Sequence, residues 1–166
     1  MARILVAYAT KHHSTAEIAE AIADELRGHG HAADCVDARE ARVDGYDAVV
    51  LGSAVYMGRW RREARRFLTH EADALALIPF WVFSTGPVGE PSGDDEKDSA
   101  WLEPAAVMQQ AEALHVREHV VFGGRLPDDP HGFIETAMSR NTPEQYRDLR
   151  DWEQIRTWAD RIADQL

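Results

Sequence analysis

The 166-residue sequence has little cysteine and no long apolar run. Its one cysteine, Cys35, excludes a disulfide within the chain. The longest apolar run, residues 74–83, is about half a membrane span and contains Pro79. No positively charged segment precedes an apolar one, as a secretion signal requires. We therefore expect a cytoplasmic protein without a transmembrane segment, folded as a single domain over residues 1–166.

Basic residues are also scarce. The chain has 18 lysines and arginines against 29 aspartates and glutamates, which gives a formal net charge of -11. A surface of this sign repels phosphate backbones and argues against nucleic acid as a partner. Two common nucleotide motifs are missing as well, since the sequence has neither a Gly-Lys-Ser/Thr loop nor a dinucleotide Gly-x-Gly-x-x-Gly.

What is present is a regular alternation of strand-like and helix-like segments. Five short strand-like runs recur, and most of them are continuous and apolar, as expected for strands that are covered on both faces of a sheet. Helical periodicity separates them, as at Ile18, Ile22 and Leu26. Such alternation predicts parallel strands with helices on both faces. The predicted strands are Ile4–Tyr8, Ala32–Val36, Ala48–Leu51, Phe80–Phe83 and His119–Phe122.

Five parallel strands suit an α/β, three-layer doubly wound fold with the strand order 2-1-3-4-5. In that order the loops after the first, third and fourth strands border one crevice. Two helix starts have the pattern of a capping box, Ser14 with Glu17 and Asp151 with Gln154. Residues 126–150, between the last strand and the last helix, are predicted to be an irregular insertion.

The loop after the first predicted strand is the most informative segment. It contains three hydroxyl residues, Thr10, Ser14 and Thr15, and it leads directly into a helix. The start of a helix presents free N–H groups and the positive end of the helix dipole, which together favour an anion such as a phosphate. The same loop could instead do no more than cap the helix.

This loop resembles the phosphate loop of flavodoxins, Thr-x-(Thr/Ser)-Gly-x-Thr. Thr10 and Thr15 stand at its first and last positions, His12 stands where a hydroxyl residue is usual, and His13 replaces the glycine. If the glycine position requires a positive φ, histidine tolerates it at some cost. The loop is also similar to that of the flavodoxin-like family that includes the menaquinone-dependent protoporphyrinogen oxidases. The resemblance implies a flavodoxin-like fold and bound FMN, since one terminal phosphate suits this loop.

Three further loops extend this resemblance, which covers nearly the whole chain. The loop after the third strand offers Tyr56 as a wall for an aromatic ring. The loop after the fourth strand offers backbone groups to the polar end of a flavin. The paired glycines after the fifth strand resemble the oxidase-like family, in which that loop closes over the ring. The predicted FMN-binding residues are Thr10, Lys11, His12, His13, Ser14, Thr15, Ser53, Ala54, Val55, Tyr56, Met57, Gly58, Ser84, Thr85, Gly86, Pro87, Val88, Gly123 and Gly124.

The resemblance implies a redox function. An FMN protein of this kind transfers electrons to a redox partner protein, or acts as an oxidoreductase on a planar quinone- or porphyrinogen-like substrate. The alternative is a flavodoxin-fold interaction module that has lost FMN, for which His13 is the best support. A phospho-receiver domain shares the topology but needs acidic residues after the first and third strands, where this chain has Thr10 and Ser53. The sequence assigns no catalytic acid or base and no metal ligand, and it leaves the oligomeric state open.

An arginine-rich helix is predicted from about residue 59 to 70. Trp60, Ala64 and Phe67 would form its apolar face. Five arginines between residues 59 and 66 lie on the other side, either as a docking face for an acidic redox partner or anionic substrate, or as an ordinary solvated surface.

Overall fold

A parallel sheet of five strands forms the centre of the fold, with helices on both faces. The computed structural model describes residues 1–56, 58–86, 104–125 and 148–166. The strands are β1 (Arg3–Ala9), β2 (Ala32–Asp37), β3 (Ala48–Tyr56), β4 (Arg59–Trp60), β5 (Phe80–Thr85) and β6 (His119–Phe122). The helices are α1 (Ser14–Gly28), α2 (Arg62–His70), α3 (Ala72–Leu75), α4 (Ala105–Ala113) and α5 (Trp152–Ala163).

The strand order confirms the predicted topology. The parallel strands follow the order β2-β1-β3-β5-β6, which is 2-1-3-4-5 when the two-residue β4 is set aside. β4 was not predicted, and it pairs antiparallel with the end of β3. β1, β3 and β5 are buried along most of their length, which explains their continuous apolar character.

Two hydrophobic layers hold the helices against the sheet. On one side α1 and α5 pack over a cluster in which the rings of Phe83, Phe122 and Trp158 lie 5.6–6.0 Å apart between centroids. On the other side Phe67 and Leu68 of α2, with Val107 of α4, cover the opposite faces of β1, β3 and β5. All six side chains are at least 96 % buried.

The capping box predicted at Ser14 is wrong. His13 is the residue that precedes the helix, no side chain caps it, and Ser14 is the first helical residue. Glu17 therefore does not reach back to a serine cap; its carboxylate accepts a hydrogen bond from Arg150 Nη1 at 2.7 Å. The second predicted cap is confirmed, since Asp151 Oδ1 accepts the N–H of Gln154 at 3.0 Å.

The helix predicted from residue 59 begins later, at Arg62. Gly58 has φ 72, a turn conformation that suits glycine, and it reverses the chain between β3 and β4. Trp60 therefore lies in β4 and not on the helix, although it is buried as predicted. The predicted insertion lies outside the described residues up to residue 147. None of the described helices has the length and apolar character needed to cross a membrane.

Candidate cofactor site at the carboxyl edge of the sheet

The register of the strands brings three of the predicted loops to one edge of the sheet. Ala9 at the end of β1 lies opposite Ser53 of β3, and Ala54 lies opposite Thr85 at the end of β5. The residues that follow β1, β3 and β5 therefore meet at the carboxyl edge. This is the position at which doubly wound sheets bind ligands.

The loop between β1 and α1 contains a residue in the left-handed conformation. His13 has φ 63 and ψ -6, so histidine adopts the left-handed conformation expected of the glycine it replaces. Its carbonyl accepts the N–H of Glu17 at 3.0 Å. The N–H groups in the first turn of α1 have no partner within the helix, and the positive end of the helix dipole lies at this loop.

Two hydroxyls of this loop are buried without a partner. Thr10 Oγ1 and Ser14 Oγ make no hydrogen bond with any described residue, and each oxygen is inaccessible to water. An unpaired buried hydroxyl costs about 1–3 kcal/mol. Both belong to the predicted FMN-binding residues, and an oxyanion bound at the start of α1 would satisfy them.

The third hydroxyl of the loop is already paired. Thr15 is 1 % exposed, and its Oγ1 lies 2.7 Å from Thr85 Oγ1, so one of the two threonines donates to the other. This bond joins the first turn of α1 to the end of β5. Thr15 and Thr85, both predicted to bind FMN, therefore stabilise the junction between two loops through their side chains.

Lys11 and Tyr56 close the gap between the first and third loops. The ammonium of Lys11 lies over the ring of Tyr56, 4.2 Å from its centroid, which is a cation–π contact. Tyr56 is the last residue of β3, so β3 is longer than predicted and Ser53, Ala54 and Val55 also belong to the strand. Tyr56 is half-buried and lies at the edge of the candidate site.

The predicted serines of β3 and β5 make hydrogen bonds within the fold. Ser53 Oγ accepts the N–H of Arg61 at 2.9 Å and so fixes the chain after the β3–β4 turn. Ser84 Oγ accepts a hydrogen bond from Trp60 Nε1 at 2.8 Å and lies 2.9 Å from His119 Nε2. Both serines are fully buried, so their hydroxyls are committed to the protein.

The glycines at this edge make close backbone contacts within the protein. A Cβ on Gly123 would lie 2.0 Å from the carbonyl oxygen of Leu149, and Gly124 accepts the N–H of Leu149 at 2.9 Å. Gly86 has φ 129 and donates its N–H to Phe122 at 2.9 Å. Three predicted FMN-binding residues, Met57, Pro87 and Val88, lie outside the described residues.

A cavity of about 280 Å³ adjoins the β1–α1 loop and includes residues that the sequence did not predict. Thr10, Lys11 and His13 line it from one side. The opposite wall comes from the end of β2 and the start of α2. Because β2 neighbours β1, its carboxyl end reaches the same edge, a consequence of the 2-1-3 order that was available from the sequence. The unpredicted lining residues are Tyr8, Ala9, Asp37, Arg39, Arg61 and Glu63.

Charges in that wall are mostly paired. Arg39 donates to Asp37 Oδ1 and Oδ2 at 3.0 and 2.9 Å, and these bonds hold the pKa of the Asp37 carboxyl below its usual range. Arg61 Nε lies 3.5 Å from a Glu63 carboxylate oxygen. Lys11 and His13 add their side chains on the other side of the cavity. The cavity lining therefore contains three cationic side chains, Lys11, Arg39 and Arg61, and two carboxylates, Asp37 and Glu63.

Arg150 was also missed, and it anchors the far side of the α1 N-terminus. Its side chain is only 6 % exposed and makes ion pairs with Glu17 at 2.7 Å and Asp148 at 2.9 Å. It also lies over the Trp152 ring at 4.9 Å. The segment before α5 is thereby joined to the first turn of α1.

Known proteins of the same fold agree with this geometry. The family model described as flavodoxin domain matches residues 5–142. A flavodoxin from the domain Archaea is 11 % identical, with a TM-score of 0.64 and coverage of 98 % of this chain and 97 % of that one. Oxidised flavodoxin 1 of Bacillus cereus is 16 % identical, with a TM-score of 0.60 and 99 % of both chains covered.

A third similar structure is a larger protein. In rubredoxin oxygen:oxidoreductase from the anaerobe Desulfovibrio gigas, the match is 14 % identical with a TM-score of 0.62; it covers 98 % of this chain but 35 % of that one. No curated protein matches the sequence. The likeness to solved structures establishes the fold, and the family model extends over most of the sequence. The chain therefore belongs to the flavodoxin-domain family.

Proposed function

We propose that this protein binds FMN at the carboxyl edge of its sheet and transfers electrons to or from a partner. The observation that supports the proposal most strongly is the pair of buried, unpaired hydroxyls, Thr10 Oγ1 and Ser14 Oγ, beside the free N–H groups of α1. A phosphate accepts several hydrogen bonds at once and suits such a set of donors. A protein that bound nothing here would have two buried hydroxyls unsatisfied.

The residues present suit the two ends of FMN. The β1–α1 loop would hold the phosphate through Thr10, Ser14 and the first-turn N–H groups. Tyr56 would border the ring, because it ends β3 beside the loop, and Lys11 lies against it. The bound flavin supplies the redox chemistry. The protein would fix its orientation and exclude water from its phosphate end.

The reaction partner is the finer part of the proposal. A redox partner protein is one choice, and a planar quinone- or porphyrinogen-like substrate, as in the menaquinone-dependent protoporphyrinogen oxidases, is the other. Exposed arginines next to the site favour the protein partner. A direct comparison would measure the oxidation of the reduced flavoprotein by a soluble quinone with and without the candidate partner.

The first experiment is the absorption spectrum of the purified protein, with acid extraction of any bound flavin. We expect flavin bands and release of FMN, not FAD. If the protein is instead an interaction module, it should be colourless and should take up no FMN when the apoprotein is titrated. His13 supported that alternative at the sequence level, but it adopts the glycine-like conformation, so the loop shape is retained.

A further inference from the structure

The exposed side of α2 and β4 carries an arginine surface, defined here as Arg59, Arg62, Arg65 and Arg66. All four side chains are exposed. Within the described part of the chain, none of their guanidinium groups forms an ion pair or a hydrogen bond. Four unpaired cations are therefore gathered in eight residues of a chain whose net charge is -11.

Five arginines elsewhere on the described surface meet at least one carboxylate within 3.5 Å, although these contacts are largely exposed and individually weak. Arg42, Arg117 and Arg156 make no such ion pair with a described residue. Two glutamates, Glu63 and Glu71, line the same cavity as Arg62 and Arg66, but Glu63 pairs with Arg61 and Glu71 accepts the N–H of Val43 at 3.0 Å. Paired arginines on the described surface are Arg3, Arg27, Arg39, Arg150 and Arg161.

The charges of the arginine surface also destabilise α2. Arg62 is the first residue of α2, and cations near a helix start oppose the dipole. Arg62 is three and four residues from Arg65 and Arg66, and like charges at these spacings destabilise a helix. Local conflicts of this kind are expected at functional surfaces.

The arginine surface lies beside the candidate cofactor site. Arg62 and Arg66 line a cavity of about 360 Å³ together with Arg39 and Glu63. Arg39 and Glu63 also line the cavity next to the β1–α1 loop. Tyr56, at the end of β3, connects through the β3–β4 turn to Arg59. A molecule seated on the arginine surface would therefore sit next to the loops proposed to hold the flavin.

We propose that the arginine surface docks an acidic protein, and that this protein is the electron partner. The proposal rests on the proposed function, in which each electron that the partner loses is gained by the bound flavin, or the reverse. Arg62 and Arg66 are about 6 Å apart along the helix axis, and Arg59 lies on a separate strand. Exposed cations spread in this way suit several carboxylates on a protein better than one small anion. The remaining acidic surface would repel the partner and so orient it.

Docking is tested without flavin. The apoprotein is titrated with a peptide of ten glutamates at low ionic strength, and its amide NMR signals are followed. We expect saturable shifts centred on residues 59–70, lost in high salt. Replacing Arg65→Gln and Arg66→Gln should weaken peptide binding about three- to tenfold. The control, Arg117→Gln with Arg156→Gln, removes the same charge from exposed arginines elsewhere and should leave binding unchanged.

Three results would overturn the docking proposal. The first is a peptide that binds elsewhere or not at all, and the second is equal weakening by the control variant. The third is citrate binding at residues 59–70 as tightly as the peptide, which would make the surface a small-anion site. A lack of FMN binding would refute the proposed function but would not alter these measurements.

The electron route is tested on FMN-loaded protein reduced by light. We expect its oxidation by ferricyanide, a trianion, to slow as ionic strength rises, and the Arg65→Gln, Arg66→Gln variant to lose this dependence. Oxidation by the hexaamminecobalt(III) trication should not slow in the variant. A rate with ferricyanide that increases with salt would follow the net charge of -11 and contradict exchange through this surface.

Discussion

Replacing Ser14 by alanine should have opposite effects on the free and the FMN-bound protein. Ser14 Oγ is buried and has no partner among the described residues, and Ser14 is not the residue that caps α1. Its removal should therefore relieve an unsatisfied hydroxyl and stabilise the apoprotein by about 1–2 kcal/mol. For a domain of this size that corresponds to a rise of roughly 2–6 °C in melting temperature.

The same substitution should weaken FMN binding. A hydrogen bond to a charged group contributes about 1.5–3 kcal/mol, so the dissociation constant should rise about 10- to 150-fold. Thermal unfolding of the apoprotein and quenching of FMN fluorescence measure the two effects. Thr157→Ala is the control, because Thr157 is an exposed helical threonine on α5 and should change neither.

Two outcomes would refute this reasoning. If Ser14→Ala stabilises the apoprotein but leaves FMN affinity unchanged, the hydroxyl is a packing defect and does not bind phosphate. If the variant destabilises the apoprotein, the hydroxyl has a partner and is not available to a ligand.

Three other predictions follow from particular contacts. Thr15→Val should destabilise the protein by about 1–3 kcal/mol in urea unfolding, because it leaves the Thr85 hydroxyl unpaired. Adding Thr85→Val should recover most of this loss. If the losses of stability from the two substitutions simply add, the 2.7 Å bond between the hydroxyls is contradicted. His13→Gly should raise stability by up to about 1 kcal/mol, as should His115→Gly, because both histidines have a positive φ. Only His13→Gly should alter FMN affinity in a fluorescence titration, because only His13 lies in the β1–α1 loop; equal affinities in the two variants would exclude a role for His13. Burial, with a hydrogen bond to a carboxylate, raises the pKa of Cys35 to about 12. Iodoacetamide at pH 8 should therefore label Cys35 only after the protein is unfolded, and mass spectrometry measures the labelling.

The fold could be predicted because its strands are continuous and apolar. Burial of β1, β3 and β5 on both faces leaves a signal in the sequence that a solvated strand lacks, and the alternation with helices then fixes a parallel sheet. β4 was not predicted, because a strand of two residues is too short to show a periodic pattern of apolar residues. Trp60 is buried in either position, so its apolar character could not tell a short strand from the start of a helix.

The sequence predicted where the candidate site lies, but not how its side chains are arranged. Strand order alone brings the loops after β1, β3 and β5 together, so the edge was predictable. The direction of each hydroxyl was not, because it depends on partners distant in the chain. Thr15 bonds to a residue 70 positions away, and Glu17 pairs with Arg150, 133 positions away. Such contacts are fixed by packing and leave no local pattern.

The central claim is that the β1–α1 loop binds a phosphate group. The most direct measurement compares the affinity of the apoprotein for FMN with its affinity for riboflavin, which lacks only the phosphate. With two hydroxyls and the first-turn N–H groups as donors, we expect FMN to bind at least about 100-fold more tightly. Equal affinities, or no binding of either ligand, would contradict the claim.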